Sequence, residues 1–408
     1  MIDYNGIAGN EKQKNILMVL DQITEHEETF ATDIIKATGL SFATVSRAIS
    51  TLKNAGLVVT KGKEITDMGR HPEIVALNAE YGYLLHFHVG AEDIRGYLAD
   101  LCGNVLAQDQ IGIDRNIKPE MFGKKLRMCT ESMLKACGLS YDKLLAASIA
   151  IPGLVDLKNY IVKRIPNFTN FNNVNLFKYV EKSMQLPVII NNEARLCAFG
   201  AFIHDFQDKP NLVYIDFTRY SGIGAGIIVD GKLVSGKNGF AGEMGDILID
   251  IHNFEYGNNE DEGYLESMAG VGVLYDKLHA LIERGRAVKL KELMASDDVE
   301  AMGLRLIEQA VLMQDLDVMD VFDDTMKKWS IAVINLFALL DPDLLILGGV
   351  VNEKNDVVLA RIRHNISKIL FHDIDIVLGE TNEYQMYGGM YMLKVHVLNT
   401  MLSGKIFL

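Results

Sequence analysis

The sequence predicts an α/β protein with a small N-terminal head, residues 1–75, and a larger body of two lobes, residues 76–408. Helix-like and strand-like patterns follow each other closely between Ala31 and Lys63 and predict the head. Strand-like and helix-like segments alternate over the rest of the chain, which predicts the body. A chain of 408 residues that is 49% hydrophobic can also bury cores for two or three domains.

Two helices joined by a tight turn are the first predicted elements of the head. One is predicted from Thr32 to about Thr38, and a second from its capping residue Ser41 to about Ala55, with Gly39-Leu40 as the turn. The second helix has apolar residues at the spacing of a helix face that packs in a core, namely Val45, Ala48, Ile49 and Leu52. This is the pattern of a helix-turn-helix.

The outer, N-terminal end of the second helix is polar and predicts contact with DNA bases in a major groove. The residues exposed there are Ser41, Phe42, Thr44, Ser46 and Arg47. The segment from Leu57 to Ile65 predicts two short strands, a wing whose basic tip, Lys61 and Lys63, touches phosphates. The alternative is an ordinary small helical subdomain without DNA contacts.

A linker is predicted from Asp67 to Pro72, because this segment contains Gly69 and Pro72 and apolar alternation begins again at Ile74. Beside a DNA-reading unit, Arg70 could enter an adjacent minor groove as an arm. The alternative is that the segment is only a connector.

The charge distribution limits any DNA contact to the head. The formal net charge of the chain is -14, but residues 41–71 hold five basic and two acidic residues, a local charge of +3. A basic window in an otherwise acidic chain discourages non-specific binding to DNA while permitting a local contact.

No segment of the sequence suggests export or membrane insertion. The polar N-terminus from Met1 to Gln13 lacks the apolar stretch of a signal peptide, and the longest apolar run, Ser330 to Leu340, is too short to span a bilayer. That run predicts a buried helix. The four cysteines lack metal-type spacing and are predicted to be reduced core residues. We therefore expect a cytoplasmic protein.

An internal duplication predicts the two lobes. Tyr83 to Leu106 and Leu212 to Val234 each show strand, glycine-containing turn, strand, tight turn and strand. We place lobe one at about 76–190 together with the C-terminal helix, and lobe two at about 191–385. Ligands of such folds bind in the cleft at the strand ends.

Six motifs occur in the order found in the ROK family of sugar kinases and transcriptional repressors, which this chain resembles from about Tyr83 to its C-terminus. They are Ala150 to Asp156 (AIPGLVD), Ile165 to Phe168 (IPNF), Leu186 to Ala194 (LPVIINNEA), Ser221 to Ile228 (SGIGAGII), Gly239 to Asp246 (GFAGEMGD) and Pro342 to Gly349 (PDLLILGG). The resemblance implies a two-lobed actin/hexokinase-like body. An N-terminal winged helix-turn-helix is what the repressor branch carries.

The phosphate-binding loop of the kinase branch, roughly DxGGTK, is altered in this chain. The matching residues are His88 to Asp93, in which the carboxylate has become His88 and the Thr-Lys pair has become Glu92 and Asp93. Like charges facing the phosphates would cost on the order of several kcal/mol in a partly desolvated cleft. We therefore expect the cleft to exclude ATP and the protein to use no cofactor.

The catalytic base of the family is the Asp of an Asn-Asp pair, and the matching pair is Asn192-Glu193. One extra methylene moves the carboxylate by about 1 Å, which is costly to catalysis but tolerable for hydrogen bonding to a sugar. Glu193 is thus a degenerate base, and no catalytic residue is predicted. The alternative is that both residues only open the helix ending near Phe206.

The family's structural zinc site is also lost. Asp246 stands where the family has a histidine ligand, and Ile251 to Glu266 contains no cysteine, so we expect no metal. His252 alone is expected to be a surface residue. The resemblance implies that acids retained in the cleft bind sugar hydroxyls. The predicted sugar-binding residues are Asn167, Asn192, Glu193, Glu243, Asp246 and Glu266.

Together these patterns predict a cytoplasmic repressor of carbohydrate-use genes whose cleft senses a sugar or sugar derivative. We expect a homodimer or dimer of dimers on a palindromic operator, because one recognition helix offers too few base contacts. Asp246 and Arg195 could favour a charged or amino sugar. Two alternatives are an active sugar kinase with a DNA-binding head, and a regulator whose vestigial cleft is controlled by a protein partner.

Overall fold

The computed structural model of the chain describes residues 11–26, 28–63, 73–159, 161–165, 168–220, 222–250, 264–294, 303–370, 374–379 and 383–401. No helix in these ranges is both long and apolar enough to cross a membrane.

The head contains the two predicted helices and one that the sequence analysis missed. Its elements are α1 (Glu11–Glu25), β1 (Thr29–Phe30), α2 (Ala31–Thr38), α3 (Phe42–Asn54), β2 (Val58–Lys63) and β3 (Glu73–Leu77). Helices α2 and α3 confirm the predicted helix-turn-helix, with Gly39 at a positive φ of 70° between them and all four predicted core residues of α3 buried. Helix α1 completes the core with Leu17, Leu20 and Ile23.

The wing differs from its prediction. Val58 to Lys63 is one continuous strand, so Lys61 and Lys63 do not form the tip of a hairpin within residues 57–65. Instead β2 pairs with β3, and the sheet order is β1-β3-β2. A register shift between Thr60 and Gly62 accommodates the glycine that suggested a turn. Since β3 ends at Leu77, the head's sheet also runs past the boundary predicted at 75.

Lobe one is built on a five-stranded sheet of order β10-β7-β4-β5-β6. Its elements are β4 (Tyr83–Val89), β5 (Asp93–Asp100), β6 (Val105–Gly112), α4 (Pro119–Cys137), β7 (Leu144–Ile151), β8 (Leu154–Asp156), β9 (Ile161–Arg164), α5 (Leu176–Met184) and β10 (Val188–Asn192).

Lobe two is built on a five-stranded sheet of order β13-β12-β11-β14-β15. Its elements, followed by the C-terminal helix, are α6 (Glu193–His204), β11 (Leu212–Thr218), β12 (Gly222–Val229), β13 (Lys232–Leu233), α7 (Tyr264–Ala269), α8 (Val271–Glu283), α9 (Val288–Leu293), α10 (Leu304–Leu312), α11 (Leu316–Leu340), β14 (Leu344–Gly349), α12 (Asp356–Ile366), β15 (Ile376–Leu378) and α13 (Tyr384–Thr400).

The two sheets confirm the internal duplication. In each sheet, the first three strands along the chain pair with each other in an antiparallel arrangement. The two later strands run parallel to the first strand and extend the sheet beyond it. The predicted apolar run lies in α11, where Trp329 stacks on Phe217 at 3.9 Å between ring centroids. Of the four cysteines, Cys129 and Cys197 are buried as predicted, but Cys102 is exposed, which corrects its assignment to the core.

Two helices meet where the lobes join. Helix α6 packs on β11 and β12 of lobe two, whereas α13 packs on β4 and β7 of lobe one, and the two helices pack closely on each other. A Cβ atom at Gly200 would overlap the carbonyl oxygen of Tyr384, and one at Gly388 would overlap that of Leu196. Backbone therefore touches backbone at this crossing, and both positions require glycine.

Candidate effector cleft and nucleic-acid interface

The predicted DNA-reading face is exposed at the start of α3. The Oγ atom of Ser41 accepts a hydrogen bond from the backbone N–H of Thr44 at 3.2 Å, so Ser41 also caps the helix. Phe42 is 56% exposed, and Ser46 is exposed beside it. Arg47 is exposed too, and its Nε donates to the carbonyl oxygen of Ala43 at 3.1 Å. The residues of this face therefore lie together on one surface, and their role in DNA binding stays a prediction.

Two of the residues predicted to contact DNA phosphates lie on strand β2 rather than at a hairpin tip. Lys61 is exposed on β2, and Lys63 is the last residue of the same strand. Arg70 and the linker from Asp67 to Pro72 lie outside the described residues.

A largely buried contact between a histidine and a glutamate joins the lobes. His88 comes from β4 of lobe one, and Glu193 is the first residue of α6. The Nε2 atom of His88 lies 2.6 Å from Oε1 of Glu193, and both side chains are largely shielded from solvent. The sequence analysis singled out both residues, but it did not predict that they contact each other.

This contact sets the protonation of the neighbouring acids. Burial raises the pKa of Glu193, but the charge and hydrogen bond of His88, with a further contribution from Arg95, lower it below its ordinary value overall. Asp216 in β11 is 5% exposed, and burial together with the charge of Glu193 holds its pKa well above the usual range. The pKa values of these two acids in one desolvated site are therefore shifted in opposite directions.

The altered phosphate loop carries less unpaired charge than expected. Glu92 lies 3.6 Å from the guanidinium of Arg115, and Asp93 accepts a hydrogen bond from Gln110. Arg115 therefore partly offsets the charge of Glu92, whereas Gln110 is neutral and leaves the charge of Asp93 uncompensated. His88 and Glu193, which the resemblance matches to the phosphate-loop carboxylate and the catalytic base of a kinase, contact each other instead.

Asn192 has a structural role as well as a place in the cleft. Its side-chain oxygen caps α6 by accepting from the N–H of Arg195 at 3.2 Å, and its Nδ2 donates to the carbonyl oxygen of Gly153 at 2.9 Å. Asn192 therefore caps helix α6 and Glu193 is its first residue, which confirms the alternative prediction that the two residues open the helix. Helix α6 ends at His204 rather than near Phe206.

Arg195 holds the loop that leads to the retained acids. It is 3% exposed, and its guanidinium donates to the carbonyl oxygen of Gly239 at 3.0 Å and to Oγ of Ser235 at 2.5 Å. This engagement leaves Arg195 less suited to bind a charged sugar than the sequence analysis suggested.

The retained acids form a connected group. Burial raises the pKa of Glu243 to about 7, with Asp246 and Glu266 adding to the increase and Arg164 and Arg195 opposing it. Glu266 accepts a weak hydrogen bond from the N–H of Ile223 at 3.4 Å. The structure thus brings Glu243, Asp246 and Glu266 to one region beside Arg195 of α6, the helix that Asn192 caps and Glu193 begins, whereas Asn167 lies outside the described residues.

Several residues near the cleft escaped the sequence analysis. Arg115 lies 5.2 Å from the ring centroid of Tyr220, which links lobe one to the loop between β11 and β12. Arg219 lies 4.8 Å from the ring centroid of Tyr275. Arg164 ends β9 just before the IPNF motif. Its place in the sequence could therefore have identified it as a residue near the cleft.

No group of three or more potential metal ligands is found among the residues that the structure describes. Residues 251–263, including His252, lie outside them, so the expected absence of zinc stays a prediction.

Comparisons with known proteins bear on both parts of the chain. The ROK family profile matches residues 85–378, and that of the IclR helix-turn-helix domain matches residues 14–62. The putative xylose repressor of Caldicellulosiruptor sp. (strain Rt8B.4) is 29% identical over 361 residues, covering 88% of this chain and 89% of that protein.

Two solved structures share the fold. A ROK family transcriptional regulator, described as a homologue of the Escherichia coli MLC protein, has a TM-score of 0.78 at 24% identity and covers 96% of this chain and 98% of its own. A ROK family glucokinase from Streptomyces griseus, solved with glucose and AMPPNP, has a TM-score of 0.62 at 22% identity, covering 76% of this chain and 99% of its own. The kinase therefore resembles the body, and the regulator resembles head and body together.

Proposed function

Because this chain belongs to the ROK family, we propose that it is a DNA-binding transcriptional repressor of carbohydrate-use genes whose cleft binds a sugar without phosphorylating it. The observation that carries the proposal is the 2.6 Å contact between His88 and Glu193. These two residues match the phosphate-loop carboxylate and the catalytic base of a kinase, and their contact with each other supports a cleft that does not transfer phosphate. The protein would act in the cytoplasm.

Phosphoryl transfer is disfavoured by the chemistry of Glu193. A general base works best when its pKa lies near the operating pH, and it must reach the proton that it removes. His88 holds the Glu193 carboxylate and lowers its pKa, which weakens it as a base. The carboxylate can still accept a hydrogen bond from a ligand hydroxyl.

The retained acids support a neutral, hydroxyl-rich ligand. Glu243 and Glu266 can each accept from two hydroxyl groups, and Asn192 lies at the start of α6 nearby. A relative is named a putative xylose repressor, so D-xylose is the first sugar that we would test. Asn167 and Asp246 complete the proposed sugar-binding set.

The α6–α13 crossing offers a route from the cleft to the head. Helix α6 begins in the cleft at Glu193, and its glycine contact with α13 leaves little room for the two helices to slide independently. The first turn of α13 is fixed on both sides. Gln385 contacts His86 at 2.6 Å, and the hydroxyl of Tyr384 donates to Asp205 at 2.6 Å.

The far end of α13 packs against the head. One continuous cluster of buried side chains contains Leu20 and Leu52 of the head together with Met390, Leu393 and Val397 of α13. Burial raises the pKa of Tyr391 in α13 to about 12, with Asp21 and Glu25 of α1 adding to the increase, which places these groups near each other. A sugar that moves α6 would therefore shift α13 and the head with it.

The repressor would bind its operator as a dimer. A single α3 presents few base contacts, and two copies related by a two-fold axis would read two half-sites of a palindrome. Arg47 would contact base edges in each half-site, while Lys61 and Lys63 would contact phosphates.

A ligand screen tests the cleft. The full-length protein is heated with D-xylose, other pentoses, hexoses, amino sugars and sugar phosphates, and a ligand at 100 times its dissociation constant should stabilise the fold by about 2.7 kcal/mol. Glu243→Gln should remove this stabilisation, whereas the matched control Glu120→Gln, an exposed acid on α4, should retain it. A sugar that stabilises wild type and Glu243→Gln alike would place its site elsewhere.

A kinase assay tests the alternative function, which the likeness of the body to a glucokinase keeps open. The protein is incubated with ATP, magnesium and each stabilising sugar, and ADP is measured. We expect no sugar-dependent ADP. Sugar-dependent ADP that disappears in Glu193→Gln would show an active kinase instead.

A further inference from the structure

A groove between α1 and α3 adjoins the proposed DNA-reading face. It has a volume of about 280 Å³ and is lined by Lys12 and Asn15 of α1 and by Thr44, Arg47 and Thr51 of α3. The three α3 residues follow one face of the helix. Two of them, Thr44 and Arg47, belong to the face proposed to read bases. Because the same groove is lined by α1, the first turns of α1 lie beside that face.

The polar groups of the groove suit an anion. Lys12 and Arg47 carry its positive charge, and neither forms an ion pair with an acid among the residues that the structure describes. Asn15 contributes an amide, and Thr44 and Thr51 contribute hydroxyl groups. Glu11 also lines the groove and opposes an anion there, so the local charge of its three ionised side chains is +1.

The groove has the position that a phosphate contact requires. When the N-terminal end of α3 lies in a major groove, the phosphate backbone runs along the sides of that helix. Lysine, arginine, asparagine and threonine side chains are among the usual phosphate partners in DNA complexes. The concave surface would therefore receive one strand of the backbone while α3 contacts bases.

We propose that this groove is a phosphodiester-binding site in which Lys12 and Asn15 of α1 contact the DNA backbone. The proposal rests on the proposed function, because it assumes that α3 enters a major groove. It adds α1 to the interface and assigns Lys12 a role in affinity that is independent of base sequence.

A pair of lysines on one helix provides the test. Lys12 lines the groove, whereas Lys14, equally exposed two residues further along α1, does not. The full-length wild type, Lys12→Ala and Lys14→Ala are titrated by fluorescence anisotropy at several salt concentrations. The probes are a duplex selected by the wild type from a random library and a mixed-sequence duplex of the same length.

Lys12→Ala should weaken binding to both duplexes by the same factor, roughly eightfold at 0.1 M salt, and should reduce the slope of log affinity against log salt by about 0.9. Lys14→Ala should leave that slope unchanged. Glu11→Gln should strengthen binding to both duplexes, since it removes the opposing charge. Thermal unfolding of each variant shows whether the head keeps its fold.

The outcomes separate this proposal from the proposed function. If the wild type binds DNA but Lys12→Ala and Lys14→Ala have equal salt slopes, the groove is not a phosphate site and the repressor proposal stands. If Lys12→Ala affects only the selected duplex, Lys12 reads bases and the phosphate assignment is wrong. A wild type that selects no duplex would overturn the repressor proposal, and the groove proposal with it.

Discussion

The contact between His88 and Glu193 is the residue-level feature that distinguishes this cleft from a kinase site. Both side chains are shielded from water, so neither can lose its partner cheaply. The contact with His88 also lowers the pKa of Glu193, whereas burial and the charge of Glu193 raise the pKa of Asp216. The sequence analysis predicted altered residues at 88 and 193, but their pairing could not be predicted because it joins residues 105 positions apart in different lobes.

A double-mutant cycle measures the strength of this pair. His88→Ala should lower the free energy of unfolding by about 3 kcal/mol at pH 7, because it leaves Glu193 buried without a partner. Glu193→Gln in the same background should recover part of that loss. Because the pKa of Glu193 is lowered in the fold, the contribution is present above its unfolded pKa and disappears as pH falls through the lowered value. Additive effects of the two substitutions in chemical denaturation would show that the pair does not interact.

The pKa of Glu243 predicts a pH-dependent response to sugar. At a pKa of about 7, the ionised fraction of Glu243 rises roughly tenfold between pH 6 and pH 8. The ionised carboxylate accepts hydroxyl hydrogen bonds more strongly than the neutral acid. Sugar affinity measured by calorimetry should therefore rise about tenfold over this range, and Glu243→Gln should lose this pH dependence. An affinity that falls with rising pH would mean that Glu243 binds as the protonated acid.

Arg47 and Lys61 should differ in how their loss affects DNA binding. Arg47→Ala should weaken binding to a selected operator by about 1 to 3 kcal/mol more than binding to a random duplex, because a base contact carries sequence information. The loss of its charge from the groove between α1 and α3 should weaken both duplexes to some extent. Lys61→Ala should weaken both duplexes alike and reduce the salt slope. Equal loss on both duplexes for Arg47→Ala would place Arg47 on the backbone instead of on the bases.

At the scale of elements, local patterns predicted helices α2 and α3 of the head and the duplicated sheets, but not helix α1, because capping by Ser41 and alternation in the strands act over a few residues. The wing was mispredicted because Gly62 resembles a turn residue, whereas a register shift absorbs it within the strand. The close α6–α13 crossing could not be predicted, since the need for glycine at 200 and 388 arises only where the two backbones touch.

The crossing predicts a substitution that separates sugar binding from DNA release. Gly388→Ala adds a methyl group that would overlap the carbonyl oxygen of Leu196, so α13 must move away from α6. We expect the variant to bind sugar while losing most of the sugar-induced change in operator affinity, measured by anisotropy. Gly303→Ala is the matched control, because a methyl group there meets open space. An unchanged response in Gly388→Ala would exclude the crossing as the coupling route.

At the scale of the whole molecule, the chain carries a local positive charge of +3 over residues 41–71 of the head, within an acidic protein of net charge -14. Helix α13 packs on lobe one, crosses α6 of lobe two and shares a continuous cluster of buried side chains with lobe one and the head. Composition predicted the local positive charge around α3, but it could not predict that the C-terminal helix contacts the N-terminal head. That arrangement links the proposed sugar site to the proposed DNA site through packed elements.

The most direct test of the central claim is calorimetric titration of the stabilising sugar into the full-length protein, with and without saturating operator duplex. A coupling free energy of about 1 to 3 kcal/mol should change sugar affinity some 5- to 150-fold, and the sugar must change operator affinity by the same factor. We predict this reciprocal change without ADP formation when ATP and magnesium are added. Identical sugar affinities with and without operator would contradict the claim that the cleft controls DNA binding.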